Sequence, residues 1–324
     1  MRWWPTSAGG ERGSSWAPPT ALDTPAALGE LERFRLWHLQ RVRKLRGGEY
    51  LGRTRGESNE FREHRPYVPG DDFRFIDWGL FIRLDRVYVK TFQDQEYQTI
   101  HILLDDSRSM ASGAREKFAV ARDLALALAH LSLVNQDQIA LGLLAHCGGR
   151  KKEASIARHP LKGARAVQTL RTVLSRLRPE GIFRPAASLT AHAARYARRA
   201  GLAVLISDFL VDPGDLAAGL GALARARFAT AAIQVRHPED DSFPAEGSLV
   251  RAIDQETGQT RLVTVDAENR RRHEESVRRH TAAVDAACRR LNVPITRYRT
   301  TENALDFLRE SLPRTGLLRA RGCA

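Results

Sequence analysis

From residue 99 onward, short and densely apolar runs alternate with longer stretches whose apolar residues recur every three or four positions. The first kind suits buried strands and the second suits helices packed by one face, so the alternation predicts a mostly parallel sheet covered on both sides. TIHILLD (99–105) is the first such strand, and REKFAVARDLALALAHLSLV (115–134) is the helix after it, with Phe118, Ala121, Leu124, Leu128 and Leu131 recurring along its length. QIALGLLAH (138–146) and KEASIA (152–157) flank CGGRK, and the Gly148-Gly149 pair signals a hairpin, so one antiparallel edge strand is expected. A helix over 164–177 places Val167, Leu170, Val173, Leu174 and Leu177 on one face, and another follows from about residue 186 to 199. GLAVLISDFL (201–210) reads as a buried strand, Pro213-Gly214 opens a helix over 215–227, and FATAAIQV (228–235) makes the next strand. A polar insertion then carries a short hairpin turned at ETGQ (256–259). A basic helix over 267–292, the strand PITRYRT (294–300) and a closing helix over 303–312 complete the pattern.

Upstream, residues 1–28 are rich in Gly, Ser, Pro and Ala and lack an apolar segment, which predicts a disordered leader rather than a signal peptide. Residues 29–98 are expected to hold a docked helix, with Leu28, Leu31, Phe34, Leu36, Leu39 and Val42 at helical spacing before Gly47-Gly48, and then an aromatic and charged extension packing on the core. Strand character in that extension is confined to RVYVKTFQ (86–93). The α/β domain is assigned to 99–312 and a tail to 313–324, and no internal repeat is found.

The composition narrows the function classes. With 324 residues and 43% apolar content, the chain can bury a sizeable core. Its longest nearly apolar run, LALALAHLSLV (124–134), is far short of the roughly 20 residues that cross a bilayer, so no membrane span is expected and a cytoplasmic location is the default. Lys and Arg number 51 against 38 Asp and Glu, a net charge of +13 that favours acidic partners. The excess is spread in short arginine clusters, so nucleic-acid binding through arginine faces ranks behind protein partners. Cys147, Cys288 and Cys323 stand far apart and indicate neither a zinc site nor a disulfide framework. There is no G-x-x-x-x-G-K-[ST] stretch, so the chain is not itself a P-loop ATPase.

The candidate chemistry lies in HILLDDSRSMASG (101–113), where Asp105, Ser107 and Ser109 follow a strand at spacing two, and in Ser207-Asp208, where a second strand ends on a carboxylate. In an open α/β sheet such strand ends meet in the crevice where ligands bind. A magnesium-like ion takes six oxygens at about 2.1 Å, so two serines and two aspartates leave a position that an incoming carboxylate completes. The alternative role of the serines is to cap the following helix. Asp106 is one position out of this spacing and is expected to face solvent or a neighbouring arginine. A metal-dependent hydrolase also needs a general base beside an open metal position, and no His or Glu follows either motif to supply one. A non-enzymatic protein therefore ranks first.

The D-x-S-x-S run with Asp208 resembles the metal-ion-dependent adhesion site (MIDAS) of von Willebrand factor A-type domains. GEYLGRTRGESNEFREHRPYVPGDDFRFIDW (48–78), LLDDSRSM (103–110), ISDF (206–209) and GSLVRAIDQETGQ (247–259) together resemble the bacterial domain-of-unknown-function family fifty-eight over about residues 30–312. The resemblance implies a von Willebrand factor A-like, doubly wound sheet and a divalent cation such as Mg2+ on Asp105, Ser107, Ser109 and Asp208. It also implies an adaptor role beside a MoxR-type AAA+ ATPase, in chaperone-like assembly or maturation of a client that presents an acidic residue. One departure stands out. PEGIFRPAASLT (179–190) keeps Gly181 but has Ile182 and Phe183 where the family has a ligating Thr, and Ser188 and Thr190 fall within the next helix.

Overall fold

The structure is a computed structural model that describes residues 4–5, 29–36, 61–92, 98–111, 117–145, 160–163, 165–240, 247, 249–253 and 260–320. It divides into two units, Arg46–Tyr97 and the remainder, Met1–Leu45 with Gln98–Ala324.

The larger unit is built on five strands, β1 (Thr99–Leu104), β2 (Gln138–Leu143), β3 (Leu202–Ser207), β4 (Ala229–Arg236) and β5 (Ile295–Arg299). They lie in the order β5-β4-β3-β1-β2, and every neighbouring pair is parallel. Successive side chains of a strand point to opposite faces, and both faces here are apolar. Ile100, Ile102 and Leu104 enter one core with Leu202, Val204 and Ile206, whereas Leu103, Ala203 and Leu205 enter the other. The first core is covered by α1 (Lys117–Val134) and α2 (Arg165–Arg176). The second is covered by α3 (Pro185–Arg195), α4 (Pro213–Arg225) and α5 (Ala267–Arg290). This is the doubly wound α/β arrangement that the sequence predicts. On the open side of β2, Ile139 forms an antiparallel bridge with Leu161 through two backbone bonds of 2.7 and 2.8 Å. The segment KEASIA and the turn at Gly148-Gly149 lie outside the described residues.

Local signals set the helix starts. Asp212 caps α4 by accepting from the Asp215 N–H at 2.9 Å, with Pro213 in the first turn, and Asp266 caps α5 through Asn269. Two glycines permit close approach. A Cβ on Gly201 would sit 1.9 Å from the Thr99 carbonyl oxygen, and one on Gly219 of α4 would sit 2.5 Å from the carbonyl of Pro185 at the start of α3. In the second core, His101 and His192 form a buried pair, with nitrogens 3.0 Å apart and His101 also bonded to the Arg199 carbonyl.

The N-terminal segment differs from expectation. Residues 29–31 are helical, but Phe34–Leu36 is a strand paired antiparallel with Leu318–Ala320. Leu31 and Leu36 are buried in the first core, and the partner strand supplies backbone bonds that outweigh a weak helical preference. Residues 37–47 of the expected helix lie outside the described residues. The same pairing makes 318–320 part of the fold rather than a tail, with Leu317 and Leu318 buried. Of residues 1–28, Trp4–Pro5 pairs with Leu249–Ile253, and the rest of the expected leader is outside the described residues. The hairpin in the insertion is formed by Leu249–Ile253 and Thr260–Thr264, its ETGQ turn lying outside the description.

The smaller unit pairs Phe61–Pro66 antiparallel with Tyr88–Phe92 and adds a short helix, Trp78–Leu84, capped by Asp77. Pro69-Gly70 turns the chain as its sequence suggests, with Gly70 at φ +108°. Trp78, large and apolar enough that the sequence suggests a core position, is 59% exposed on this short helix.

The contact between α3 and α4 tests this packing. Gly219→Ala is expected to cost about 1–3 kcal/mol by overpacking against Pro185. Gly221→Ala, two residues on, meets only the tip of Arg225 and is expected to be neutral or to stabilise by up to about 1 kcal/mol. Urea denaturation of the two variants checks the difference.

Candidate functional site

The chain runs from β1 out to β2 and returns across β1 to β3, so strand order reverses between the carboxyl ends of β1 and β3. Open α/β sheets bind ligands at such a switch point. Asp105 follows β1 and Asp208 follows β3, which brings the four predicted residues into one buried cluster.

Each part is held by short local bonds. The Asp105 N–H donates to the Ile206 carbonyl at 2.9 Å, extending the β1–β3 ladder by one step. The Asp105 carboxylate accepts from the Ser107 N–H at 2.9 Å through Oδ1 and from the Ser207 hydroxyl at 2.5 Å through Oδ2. The Ser107 and Ser109 hydroxyls are 3.0 Å apart, and Ser109 Oγ donates to Asp208 Oδ1 at 3.4 Å. On the β3 side the backbone turns through Phe209 at φ +54°, a left-handed conformation that costs a non-glycine residue about 1–2 kcal/mol. Its compensation is local. The Phe209 N–H donates to Ser207 Oγ, the Leu210 N–H donates to Asp208 Oδ1, and the Phe209 ring is buried in the second core. Gln234 on β4 donates to the Asp208 carbonyl at 3.0 Å and accepts from Arg297 on β5, which pairs with Asp285 on α5.

Two charged residues complete the cluster that sequence reasoning left out. Lys117, the first residue of α1, is fully buried, and its Nζ donates to Asp208 Oδ2 at 2.8 Å and to Asp240 Oδ1 at 3.2 Å. Asp240 Oδ2 in turn accepts from the His237 N–H at 2.9 Å. The signal for Lys117 was present, since it stands at i−4 from Ala121 and i−7 from Leu124, on the apolar stripe itself. A lysine in that register must find a buried counter-charge. Asp240, in a polar loop, carries no such signal.

The electrostatics follow from burial. Burial pushes the Asp105 carboxyl up to about 7, with the nearby Asp208 charge adding to the rise and the Ser107 and Ser207 bonds opposing it. Burial acts to lower the Lys117 pKa, but the carboxylates of Asp208 and Asp240 outweigh it and hold the ammonium above its usual range. Asp240 is raised by burial, with Lys117 pulling the other way.

Asp106 corrects an expectation. It is buried rather than solvent-facing, its Oδ1 accepts from the Ala145 N–H at 2.7 Å, and its carbonyl accepts from the Glu180 N–H at 2.7 Å. The residue therefore ties β1 to the end of β2 and to the 178–184 loop. That loop also reaches the D-x-S-x-S turn through the Arg108 N–H, which donates to the Gly181 carbonyl at 3.2 Å. Gly181 is at φ +91°, Phe183 is buried, Ser188 lies within α3 and donates to the Leu144 carbonyl at 2.6 Å, and Thr190 is exposed. At the rim, Arg108, Arg178 and Arg184 are exposed.

The donor set decides how well a divalent ion fits. The hydroxyls of Ser107 and Ser109 and the carboxylate of Asp208 converge as hard-cation ligands require. The carboxylates are nevertheless engaged. Every carboxylate oxygen of Asp105, Asp208 and Asp240 accepts a hydrogen bond, and the Asp208 charge is already met by an ammonium. An ion on Asp208 would share that carboxylate with a like charge. The 178–184 loop beside the cluster carries no hydroxyl to add, and the residues as arranged do not fit a resident divalent ion.

In the smaller unit, the charged residues of RPYVPGDDFRFIDW resolve into local pairs. Arg65 holds Asp71 in a bidentate contact at 2.6 and 2.7 Å, Arg74 pairs with Asp72, and His64 pairs with Asp77.

Fold and cluster together define an open, doubly wound α/β domain with a buried carboxylate, hydroxyl and ammonium group at its switch point. The family described as protein of unknown function DUF58 matches residues 63–283, and the chain belongs to that family. It is 32% identical over 309 residues to an uncharacterised Mycobacterium tuberculosis protein, Rv1480, with 90% of this chain and 92% of that protein covered. Among solved structures it is similar to BatB from Bacteroides thetaiotaomicron, with 11% identity, a TM-score of 0.40, and 67% of this chain and 98% of that one covered. It is also similar to a von Willebrand factor type A protein from Catenulispora acidiphila, with 19% identity, a TM-score of 0.34, and 47% and 35% covered.

The raised Asp105 pKa has a measurable consequence. Between the ordinary carboxylate value of 3.8 and about 7, the folded state holds a proton that the unfolded chain has released, so this residue's contribution to stability falls as pH rises through that window. The pair His101 and His192, lowered to about 4 and about 3 by burial, acts in the opposite sense and loses stability as pH falls below about 6.5. The difference between wild type and Asp105→Asn isolates the first effect. Relative to wild type, the variant is expected to gain stability from pH 5 to 7.5, as read by urea midpoints at the two values.

Proposed function

We propose that this chain is a non-enzymatic adaptor that works with a MoxR-type AAA+ ATPase in chaperone-like assembly or maturation of a client protein, and that the carboxyl edge of its parallel sheet is the docking face. The observation that carries this reading is the cluster at the switch point. A fully bonded set of buried charges supports a turn whose outward residue, Arg108, is exposed and joined by its backbone to the 178–184 loop, which carries the exposed Arg178 and Arg184. Such a rim suits an acidic side chain of a client or of the ATPase.

A hydrolytic role is less well supported by this geometry. The carboxylates at the edge are buried and held by backbone N–H groups, hydroxyls and an ammonium, which suits a structural cluster better than a base facing an attacking water. On the basic helix α5, acidic residues interleave with the arginines, as in the pairs Arg272 with Glu268 and Arg278 with Glu274. That interleaving suits a solvated helix face better than a phosphate track. No helix among the described residues is long and apolar enough to cross a membrane.

Co-elution of the purified chain with a MoxR-type ATPase from the same genome tests the reading. Association is expected with wild type and is expected to weaken at least about tenfold, or 1.4 kcal/mol, with Arg108→Glu, an exposed change that leaves the melting temperature in place. Absence of association, or an Arg108→Glu variant that binds as wild type does, would overturn it.

A further inference from the structure

We infer that Lys117 is the resident cation of the switch-point cluster, its ammonium taking the electrostatic role that a divalent metal ion would otherwise fill between the strand-end carboxylates. The inference concerns the isolated chain and stands apart from which partner docks on the edge.

Three buried aspartates from three different loops meet in this cluster, and carboxylates gathered without a cation would repel one another and stay protonated. The chain supplies the cation covalently. Lys117 reaches the cluster from the first position of α1, is fully buried along its length, and bonds one oxygen each of Asp208 and Asp240. The remaining oxygen of Asp240 is taken by the His237 N–H, and those of Asp208 and Asp105 by the donors described above. Asp240 follows β4, Asp208 follows β3, and the helix carrying Lys117 follows β1, so the ammonium ties together the carboxyl ends of three adjacent strands. A bound metal ion would make the same cross-link, but its occupancy would depend on ion concentration. A tethered ammonium holds the edge assembled at any ion concentration, and the lack of a hydroxyl on the 178–184 loop then carries no penalty.

The geometry also says what removing the ammonium does. Lys117→Met, nearly isosteric along the stem, frees Asp208 Oδ2 and Asp240 Oδ1 beside the hydroxyl of Ser109, an all-oxygen set suited to Mg2+ or Mn2+. The variant should therefore acquire the metal dependence that wild type lacks.

Equilibrium dialysis with Mn2+ and thermal melts with Mn2+ or with chelator decide the matter. Wild type is expected to bind no Mn2+ at about 1 mM free ion, the weak end of protein sites for hard cations, and to melt at one temperature in ion and chelator. Lys117→Met is expected to melt about 10 °C lower in chelator and to recover by about 5–10 °C in saturating Mn2+. Asp240→Asn added to Lys117→Met is expected to relieve part of the loss in chelator, because it removes the carboxylate left unpaired. One equivalent of Mn2+ bound to wild type, chelator-reversible and lost in Asp208→Asn, would overturn the inference, and this arm holds even where Lys117→Met does not fold. A soluble Lys117→Met whose melting temperature is the same as wild type in chelator would overturn it too.

Discussion

The ammonium of Lys117 between Asp208 and Asp240 is the constraint on which the carboxyl edge of this domain depends. A charge buried to this degree is tolerated only when it is paired and hydrogen-bonded, and breaking such a pair by removing one partner costs about 3–5 kcal/mol. The pair therefore fixes several things at once. It anchors the residue before the left-handed turn at Phe209, and it ties the loop after β4 to the sheet end through Asp240. The hydroxyls of Ser107 and Ser109 bridge from this salt link to Asp105, whose own carboxylate is closed off by Ser207 and the Ser107 N–H. Within this cluster the described side chains are hydrogen-bonded to one another and to nearby backbone groups.

That internal satisfaction shapes what the edge can do. The docking role proposed above calls for a rigid base and an accessible rim. Here the base is formed by the buried cluster, and the rim by Arg108 with the 178–184 loop, joined through backbone bonds at Asp106 and Gly181. Asp106 contributes by packing inward, so two consecutive carboxylates at the end of β1 serve separate ends: Asp105 faces β3 and Asp106 faces β2.

Much of this was legible in the sequence. The apolar runs and helical spacings marked all five strands of the sheet and the helices on both of its faces. The position of Asp105 and Asp208 at the ends of apolar runs is enough to place both at the switch point. What was not legible has physical reasons. Phe34–Leu36 reads as helix because Leu31, Phe34 and Leu36 fit a helical face nearly as well as a strand, and only the distant partner Leu318–Ala320 decides between them. Trp78 reads as core because it is large and apolar, while its exposure depends on the direction of a seven-residue helix. Asp106 reads as outward because a one-residue offset in spacing says nothing of the orphan N–H of Ala145 that it satisfies. Lys117 was visible as a lysine on an apolar stripe, yet Asp240, the second carboxylate it binds, lies 123 residues further on and carries no periodic signal.

In the role we propose for it, a protonated Lys117, locked between two aspartates, holds this sheet edge together without metal. Nitrogen-15 NMR of the lysine side chains observes this group directly. A slowly exchanging Nζ signal is predicted that stays protonated beyond the ordinary lysine pKa of 10.5, is unmoved by Mg2+, and disappears in Lys117→Met. A Lys117 ammonium that exchanges as fast as surface lysines, or whose signal shifts on adding Mg2+, would contradict that role.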